Sequence, residues 1–129
     1  KRILATIRYR DKENFKSIAL KLNMLGYKFT ATEKTAQYLK SIGINAETVK
    51  KVGEQKPNIL DLIKSGEIGL VIDIPTKANN SHTDGFKIRR TSVEASINVL
   101  TSLDTVAALT EIIEYGITSV DVNVHNISI

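Results

Sequence analysis

The chain of 129 residues contains no cysteine and no tryptophan. The missing thiols exclude disulfide bonds and thiolate metal sites, and they leave the redox compartment unspecified. No apolar run reaches the length that crosses a membrane, and no charged and then apolar leader precedes the first predicted strand. We therefore expect a cytoplasmic protein with no membrane partner. Since the first residue is Lys1 rather than methionine, we also expect a domain excised from a longer chain.

Aromatic residues make up only 5% of the chain, and they do not alternate with the basic residues. The formal net charge of +4 is modest, whereas nucleic-acid-binding proteins show a denser basic stripe with stacking aromatics. The composition therefore argues against a nucleic-acid partner and favours a small anionic ligand. The alternative for most of the lysines is an ordinary solvated surface.

Short apolar runs alternate with segments of helical periodicity. The runs at 2–8 and 69–74 are nearly continuous, which is typical of strands buried on both faces of a parallel sheet. This alternation predicts an α/β fold, a three-layer, open and mostly parallel sheet of about five strands with helices on both faces. We assign residues 1–129 to a single domain, with a core over about 1–115 and a C-terminal tail over 116–129.

The boundaries of the individual elements follow from the same periodicity. Further strands are predicted at 27–31, 46–52 and 97–100. Helices are predicted after Asp11, at 33–41, after Asn58, at 88–95 and at 103–113.

Thr32 and Thr35 lie at the predicted turn from the second strand into the helix at 33–41. Such a turn points free backbone N–H groups and the positive end of the helix dipole beyond the carboxyl end of the strand. Two hydroxyl groups added there suit a phosphate or a carboxylate. Thr32 is equally well explained as a simple N-cap, because threonine is a preferred capping residue. The other loops expected at this edge also carry threonine or lysine, which favours an anion site there.

Three segments carry a resemblance to a known family: ATEKTAQYLKSIGI, KPNILDLIKSGEIGLVIDIP and FKIRRTSVEASINVL. In this order they resemble the methylglyoxal-synthase-like (MGS-like) domain family, and within it the C-terminal allosteric domain of the carbamoyl phosphate synthetase large subunit. The resemblance covers about 1–114. It implies a regulatory domain that binds an effector of a much longer ATP-dependent ligase, which serves pyrimidine and arginine biosynthesis.

The resemblance also implies ligands and partners. Bacterial members respond to nucleotides such as UMP and IMP, so we expect a nucleoside monophosphate as the effector and no cofactor in this domain. ATP, Mg²⁺ or Mn²⁺ and bicarbonate belong to the implied parent enzyme. The expected protein partners are the rest of the large subunit and its glutaminase small subunit. Matching positions predict the effector-binding residues Thr6, Lys12, Thr32, Thr35, Lys51, Asp73 and Thr76, with Ile88 and Thr101 as pocket walls.

Two positions bear on which effector is bound. The family commonly has asparagine where this chain has Asp73, and an ionised aspartate only accepts hydrogen bonds and repels a phosphate. Ribose hydroxyls would still suit Asp73. Where the forms that bind N-acetylglutamate carry an insert with tryptophan, this chain has Lys50 and Lys51, which favours an effector with a phosphate group.

The alternative function is a lyase of the methylglyoxal-synthase type, which acts on a triose phosphate. That chemistry needs carboxylates and a histidine around a phosphate pocket. Asp11 and Asp73 are candidate carboxylates, whereas His82 falls in a polar loop and His125 in the tail. The glycine-rich segment that the enzymes carry after the fourth strand is absent. We therefore predict no catalytic residue and no metal site in this domain.

Overall fold

The central sheet contains five parallel strands connected by helices. The computed structural model describes residues 2–55, 57–74 and 84–118. The strands within these ranges are β1 (Arg2–Ile7), β2 (Lys28–Thr32), β3 (Ala46–Val49), β4 (Leu70–Ile74) and β5 (Asn98–Leu100). The α-helices are α1 (Lys12–Met24), α2 (Glu33–Ser41), α3 (Ile59–Lys64), α4 (Asp84–Glu94) and α5 (Leu103–Thr118), with a 3₁₀ turn at Tyr9–Asp11.

The strand order is β3-β2-β1-β4-β5, and every neighbouring pair is parallel. Alternate residues of β1 face two separate apolar clusters. Ile3 and Ala5 pack against α1, α2 and α5 on one face of the sheet, whereas Leu4 packs against α3 and α4 on the other. The prediction of a three-layer parallel α/β fold is therefore confirmed.

The nearly continuous apolar runs account for the two central strands. Residues 3–5 of β1 are fully buried, as are Val71 and Ile72 of β4, because helices cover both faces of the sheet. Gly26 and Gly43 follow α1 and α2 with φ values of 98° and 91°. Glycine adopts this left-handed conformation without steric cost, so it ends both helices where the periodicity predicted.

Two elements differ in length from the prediction. Strand β3 ends at Val49 rather than at 52, because the chain turns there into a loop whose next residues are exposed. Helix α5 continues through Gly116 to Thr118, three residues into the predicted tail. A glycine inside a helix costs only about 1 kcal/mol, and burial of Ile113 on the core favours the longer helix. The remainder of the predicted tail, 119–129, lies outside the described residues.

From β1 the chain continues to β2 and β3 on one side, and β4 and β5 then lie on the other side of β1. The strand order therefore reverses between β1 and β4. In open parallel sheets the loops diverge at such a point and leave a crevice beyond the carboxyl ends of the strands. Because all the strands are parallel, the carboxyl ends of β1, β2, β3 and β4 all lie at this edge. Among the described residues, no helix is both long and apolar enough to cross a membrane.

The loop between β3 and α3 is ordered by Asn58. Its side chain accepts a hydrogen bond from the Leu60 N–H at 3.0 Å and donates one to the Glu54 carbonyl at 3.2 Å. The Asp61 side chain accepts a hydrogen bond from the Asn58 N–H at 2.9 Å, which completes a capping box. The Glu54 side chain in turn accepts from the Lys51 N–H at 2.8 Å. Asn58 therefore connects the start of α3 to the loop that carries Lys51.

We expect Asn58→Ala to lower the free energy of unfolding by about 0.5–2 kcal/mol, the usual cost of removing a helix N-cap. Asn58→Asp is the matched control, because a carboxylate still accepts from the Leu60 N–H. Urea denaturation followed by circular dichroism measures both variants. Equal stability of Asn58→Ala and the wild type would contradict the role given to this cap.

Candidate anion-binding site

Thr6 and Asp73 meet at the carboxyl ends of the two central strands. They occupy paired positions of β1 and β4, and the Thr6 hydroxyl donates to Asp73 Oδ1 at 2.7 Å. The parallel register places both side chains on the same face of the sheet. Asp73 is only 3% exposed, so its carboxylate is largely shielded from solvent at the end of β4.

Arg89 of α4 supplies the positive charge next to this carboxylate. One of its guanidinium nitrogens lies 3.5 Å from Asp73 Oδ2. The Arg89 side chain is 29% exposed, whereas the Asp73 side chain is 4% exposed. A buried carboxylate without a partner is costly, and the cation and the Thr6 hydroxyl offset that cost. Arg89 lies in the segment FKIRRTSVEASINVL that carries part of the family resemblance, but the sequence did not assign it to the site.

The pKa of Asp73 is raised above its ordinary value of 3.8, chiefly because burial disfavours the charged form. The hydrogen bond from Thr6 and the charge of Arg89 oppose this shift. The net direction shows that desolvation is the larger effect. The ionised Asp73 is therefore held at some cost to stability.

Thr35 connects helix α2 to the end of β1. The Ile7 N–H donates to its Oγ1 at 3.2 Å, and the Thr35 hydroxyl lies 3.4 Å from the Ile7 carbonyl oxygen, to which it donates. Thr35 is 3% exposed. This residue, predicted as a phosphate ligand, therefore has a structural role that sequence reasoning missed, because it fixes the first turn of α2 beside β1.

Thr32 is the N-cap residue of α2, as the sequence predicted. Its backbone is extended, with φ −68° and ψ 163°, and its side chain makes no capping hydrogen bond. The hydroxyl therefore does not satisfy the free N–H groups of the first turn in the usual way. These donors and the dipole of the nine-residue α2 give the edge above β2 a positive potential.

Lys12 is the most informative of the predicted residues. It is 8% exposed, although it begins α1 beside the sheet edge, and its Nζ lies 5.6 Å from the centroid of the Tyr9 ring. Burial, and secondarily the charge of Lys34 in the first turn of α2, lower the pKa of Lys12 from 10.5. Among the ion pairs of the described residues, none includes Lys12. Two cations thus face each other near the start of α2.

The remaining predicted residues lie at different depths. Lys51 is exposed and follows β3, two strands away from β1 at the same edge of the sheet. Ile88 is buried with Leu4 in the apolar cluster between the sheet and helices α3 and α4. Its side chain therefore belongs to the core on that face of the sheet. Thr76 lies outside the described residues, and its role stays a prediction.

Thr101 lines a cleft of about 500 Å³ on the α1 and α5 side of the same edge. Arg8 and Asp11 form an ion pair on its wall, and the polar residues Asn14 and Asp104 complete much of the lining. Because Arg8 is already paired with Asp11, this cleft offers less free positive charge than the region around Lys12. Thr101 is therefore a wall residue of a neighbouring cleft.

The acid–base groups of the lyase alternative are not assembled in the part of the chain that the structure describes. Asp11 is paired with Arg8, and Asp73 is held by Thr6 and Arg89. No group of three or more histidine, aspartate or glutamate side chains in these ranges could hold a metal ion. His82 and His125 lie outside the described residues.

Replacing Thr35 tests its structural role. We expect Thr35→Val to lower the free energy of unfolding by about 1–3 kcal/mol, because the buried Ile7 N–H loses its side-chain acceptor. Thr35→Ser keeps the hydroxyl and is the control. Chemical denaturation of both variants measures the difference. If Thr35→Val were as stable as Thr35→Ser, the hydrogen bond to Ile7 would contribute nothing.

The raised pKa of Asp73 predicts a specific pH dependence for Asp73→Asn. As pH rises through the interval just above 3.8, the wild type loses stability at this position because the buried carboxyl must ionise. The asparagine variant does not titrate and still accepts from Thr6. We therefore expect the stability of Asp73→Asn relative to the wild type to increase through that interval and then to level off. Urea denaturation of both proteins from pH 3.5 to 7 measures this difference in stability. A decrease of the difference would show that the charge of Arg89 affects the pKa of Asp73 more than burial does.

Comparison with known proteins assigns the chain to a family. Residues 14–101 match the family model described as the MGS-like domain. The chain is 50% identical to the carbamoyl phosphate synthase large chain of Clostridium perfringens (strain 13 / Type A) over 127 residues, which is 98% of this chain and 12% of that protein. It is 53% identical to the protein of the same name from Clostridium botulinum (strain Langeland / NCTC 10281 / Type F) over 110 residues, 85% of this chain and 10% of the relative.

The chain thus spans about one eighth of the length of the first of these relatives. The family match begins within α1 and runs to the residue after β5, so it includes Lys51, Asp73 and the two threonines of the α2 turn but not Lys12. The order of its strands and helices also agrees with the expectation from the sequence. The chain belongs to the MGS-like domain family, and its relatives include the large chains of carbamoyl phosphate synthases.

Proposed function

We propose that this chain is an allosteric effector-binding domain of a carbamoyl phosphate synthase, and that it senses a nucleoside monophosphate such as UMP or IMP. The observation that carries the proposal is Lys12, a lysine residue that is only 8% exposed and that experiences the like charge of Lys34 near the first turn of α2. The similarity to carbamoyl phosphate synthase large chains supports the regulatory context.

A bound anion would relieve the unfavourable electrostatics of this region. Burial of an ammonium without a carboxylate partner costs free energy, and Lys34 adds like-charge repulsion. A lysine at a helix N-terminus also opposes the helix dipole. A phosphate between Lys12 and the α2 turn would accept charge-assisted hydrogen bonds and screen both cations. Thr32 and Lys51 are the further donors that we assign to it.

Asp73 and Arg89 would contact the nucleoside part of the effector. The Asp73 carboxylate accepts hydrogen bonds only, so it suits ribose hydroxyls or a base N–H. Arg89 reduces the repulsion between this carboxylate and a nearby phosphate, because its guanidinium lies 3.5 Å from the carboxylate and partly compensates the negative charge. A ligand that reaches Asp73 would have to share the carboxylate with Arg89. This requirement favours a hydroxyl-rich ligand over a simple phosphate ion.

The wider context remains part of the proposal. Effector binding would bias how this domain contacts the rest of the large chain, and substrate binding there would change effector affinity by the same factor. We assign ATP, Mg²⁺ or Mn²⁺, bicarbonate and the glutaminase small subunit to that parent enzyme, in the cytoplasm. Its product would enter pyrimidine and arginine biosynthesis. We propose no catalytic residue for the domain itself.

Isothermal titration of the 129-residue chain with UMP and IMP tests the proposal. We expect Lys12→Met to weaken binding by about 10- to 150-fold, since a charged hydrogen bond contributes about 1.5–3 kcal/mol. Lys16→Met is the matched control, because Lys16 is exposed on the same helix. We also expect wild-type affinity to fall as pH rises toward 10.5, when Lys12 with its lowered pKa loses its proton.

Lys12→Arg should lose less affinity than the wild type over that alkaline range, because a guanidinium stays charged. Failure of both nucleotides to bind, or equal effects of Lys12→Met and Lys16→Met, would contradict the proposed site. Turnover of dihydroxyacetone phosphate by the chain would support the lyase alternative instead.

A further inference from the structure

Tyr9 lies on the 3₁₀ turn between the end of β1 and the start of α1. This turn borders the crevice at the reversal of strand order, where β1 and β4 are neighbours. Tyr9 is 87% exposed, the highest value among the exposed large hydrophobic side chains of the described residues. An aromatic ring at such a position has apolar area that no other element of the described ranges covers.

The ring and the Lys12 ammonium are in contact while their exposures differ sharply. Lys12 Nζ lies 5.6 Å from the Tyr9 ring centroid, within the range of a cation–π interaction. Lys12 is largely buried, whereas the ring stays open to solvent. A phosphate that binds Lys12 would therefore lie beside an exposed aromatic surface.

A nucleoside monophosphate places its base one sugar ring away from its phosphate. With the phosphate at Lys12, the base is brought near the open surface of Tyr9. Stacking between a base and an aromatic side chain tolerates different bases, because every base has a π-face. A sugar phosphate has no such face and would gain nothing from the ring.

We infer that Tyr9 is a specificity-determining residue that stacks on the planar ring of the effector, which selects a phosphate monoester with an aromatic base over a sugar phosphate. This inference rests on the proposed effector site and deepens it. Stacking would also give a function to a large aromatic residue that lies beside Lys12 without being packed into the core. A role limited to covering Lys12 would affect every phosphate ligand alike.

The test compares UMP with ribose 5-phosphate, which lacks the base. Titrations use the 129-residue chain and its Tyr9→Phe and Tyr9→Leu variants; phenylalanine keeps the aromatic ring, and leucine keeps an apolar side chain without one. We expect Tyr9→Leu to weaken UMP binding about tenfold and to leave ribose 5-phosphate affinity within about twofold. Tyr9→Phe should bind both ligands like the wild type. Nuclear Overhauser effects between UMP base protons and the Tyr9 ring should accompany binding.

The outcomes separate the two proposals. If both ligands bind in a way that depends on Lys12, and Tyr9→Leu weakens the affinity for both equally or for neither, the stacking role is overturned. The proposed function would then remain intact. If wild-type protein bound neither UMP nor ribose 5-phosphate, the proposed function would fail, and the role of Tyr9 with it. Circular dichroism of each variant confirms that the fold is retained.

Discussion

The last two residues of β1 hold the candidate site together. Thr6 donates to Asp73 on β4, and Ile7 exchanges hydrogen bonds with the Thr35 side chain at the start of α2. Thr6 acts through its side chain and Ile7 through its backbone groups, so the end of β1 connects both to β4 and to α2. The relative placement of the α2 turn and the Asp73 carboxylate is therefore set by one strand, whose neighbouring core residues are fully buried.

The charges at this edge are arranged in two groups of opposite character. Lys12 and Lys34 form a positive region near α2, whereas Asp73 brings a buried negative charge that Arg89 only partly compensates. A ligand with a phosphate at one end and a hydroxyl-rich sugar at the other matches these two groups. The phosphate suits the positive region, and the hydroxyl groups suit the Asp73 carboxylate. The asymmetry of the crevice thus defines an orientation for a ligand, with its anionic end toward α2.

Much of the fold follows from local sequence patterns. The apolar runs of β1 and β4 predicted buried parallel strands, and Gly26 and Gly43 marked the ends of two helices. The alternation of strands and helices then implied that the threonines and lysines share one edge. The length of α5 was harder to predict, because a glycine signals a helix end unless tertiary contacts such as those of Ile113 continue the helix.

Pairings between distant residues could not be read from the sequence. Arg89 is one of two adjacent arginines on α4, and only the rotation of the helix against the sheet decides which one reaches Asp73. A buried carboxylate at the end of β4 was a signal that some cation had to be near. The structural use of the Thr35 hydroxyl was equally hidden, since a threonine in a first helical turn has several common roles.

The strands at the two margins of the sheet are its shortest, four residues in β3 and three in β5. Each offers few unpaired backbone groups to a strand from another molecule. On β3 the exposed, charged Glu47 further hinders such an addition. Intermolecular growth of the sheet, the usual route by which open sheets aggregate, is thus disfavoured at both margins.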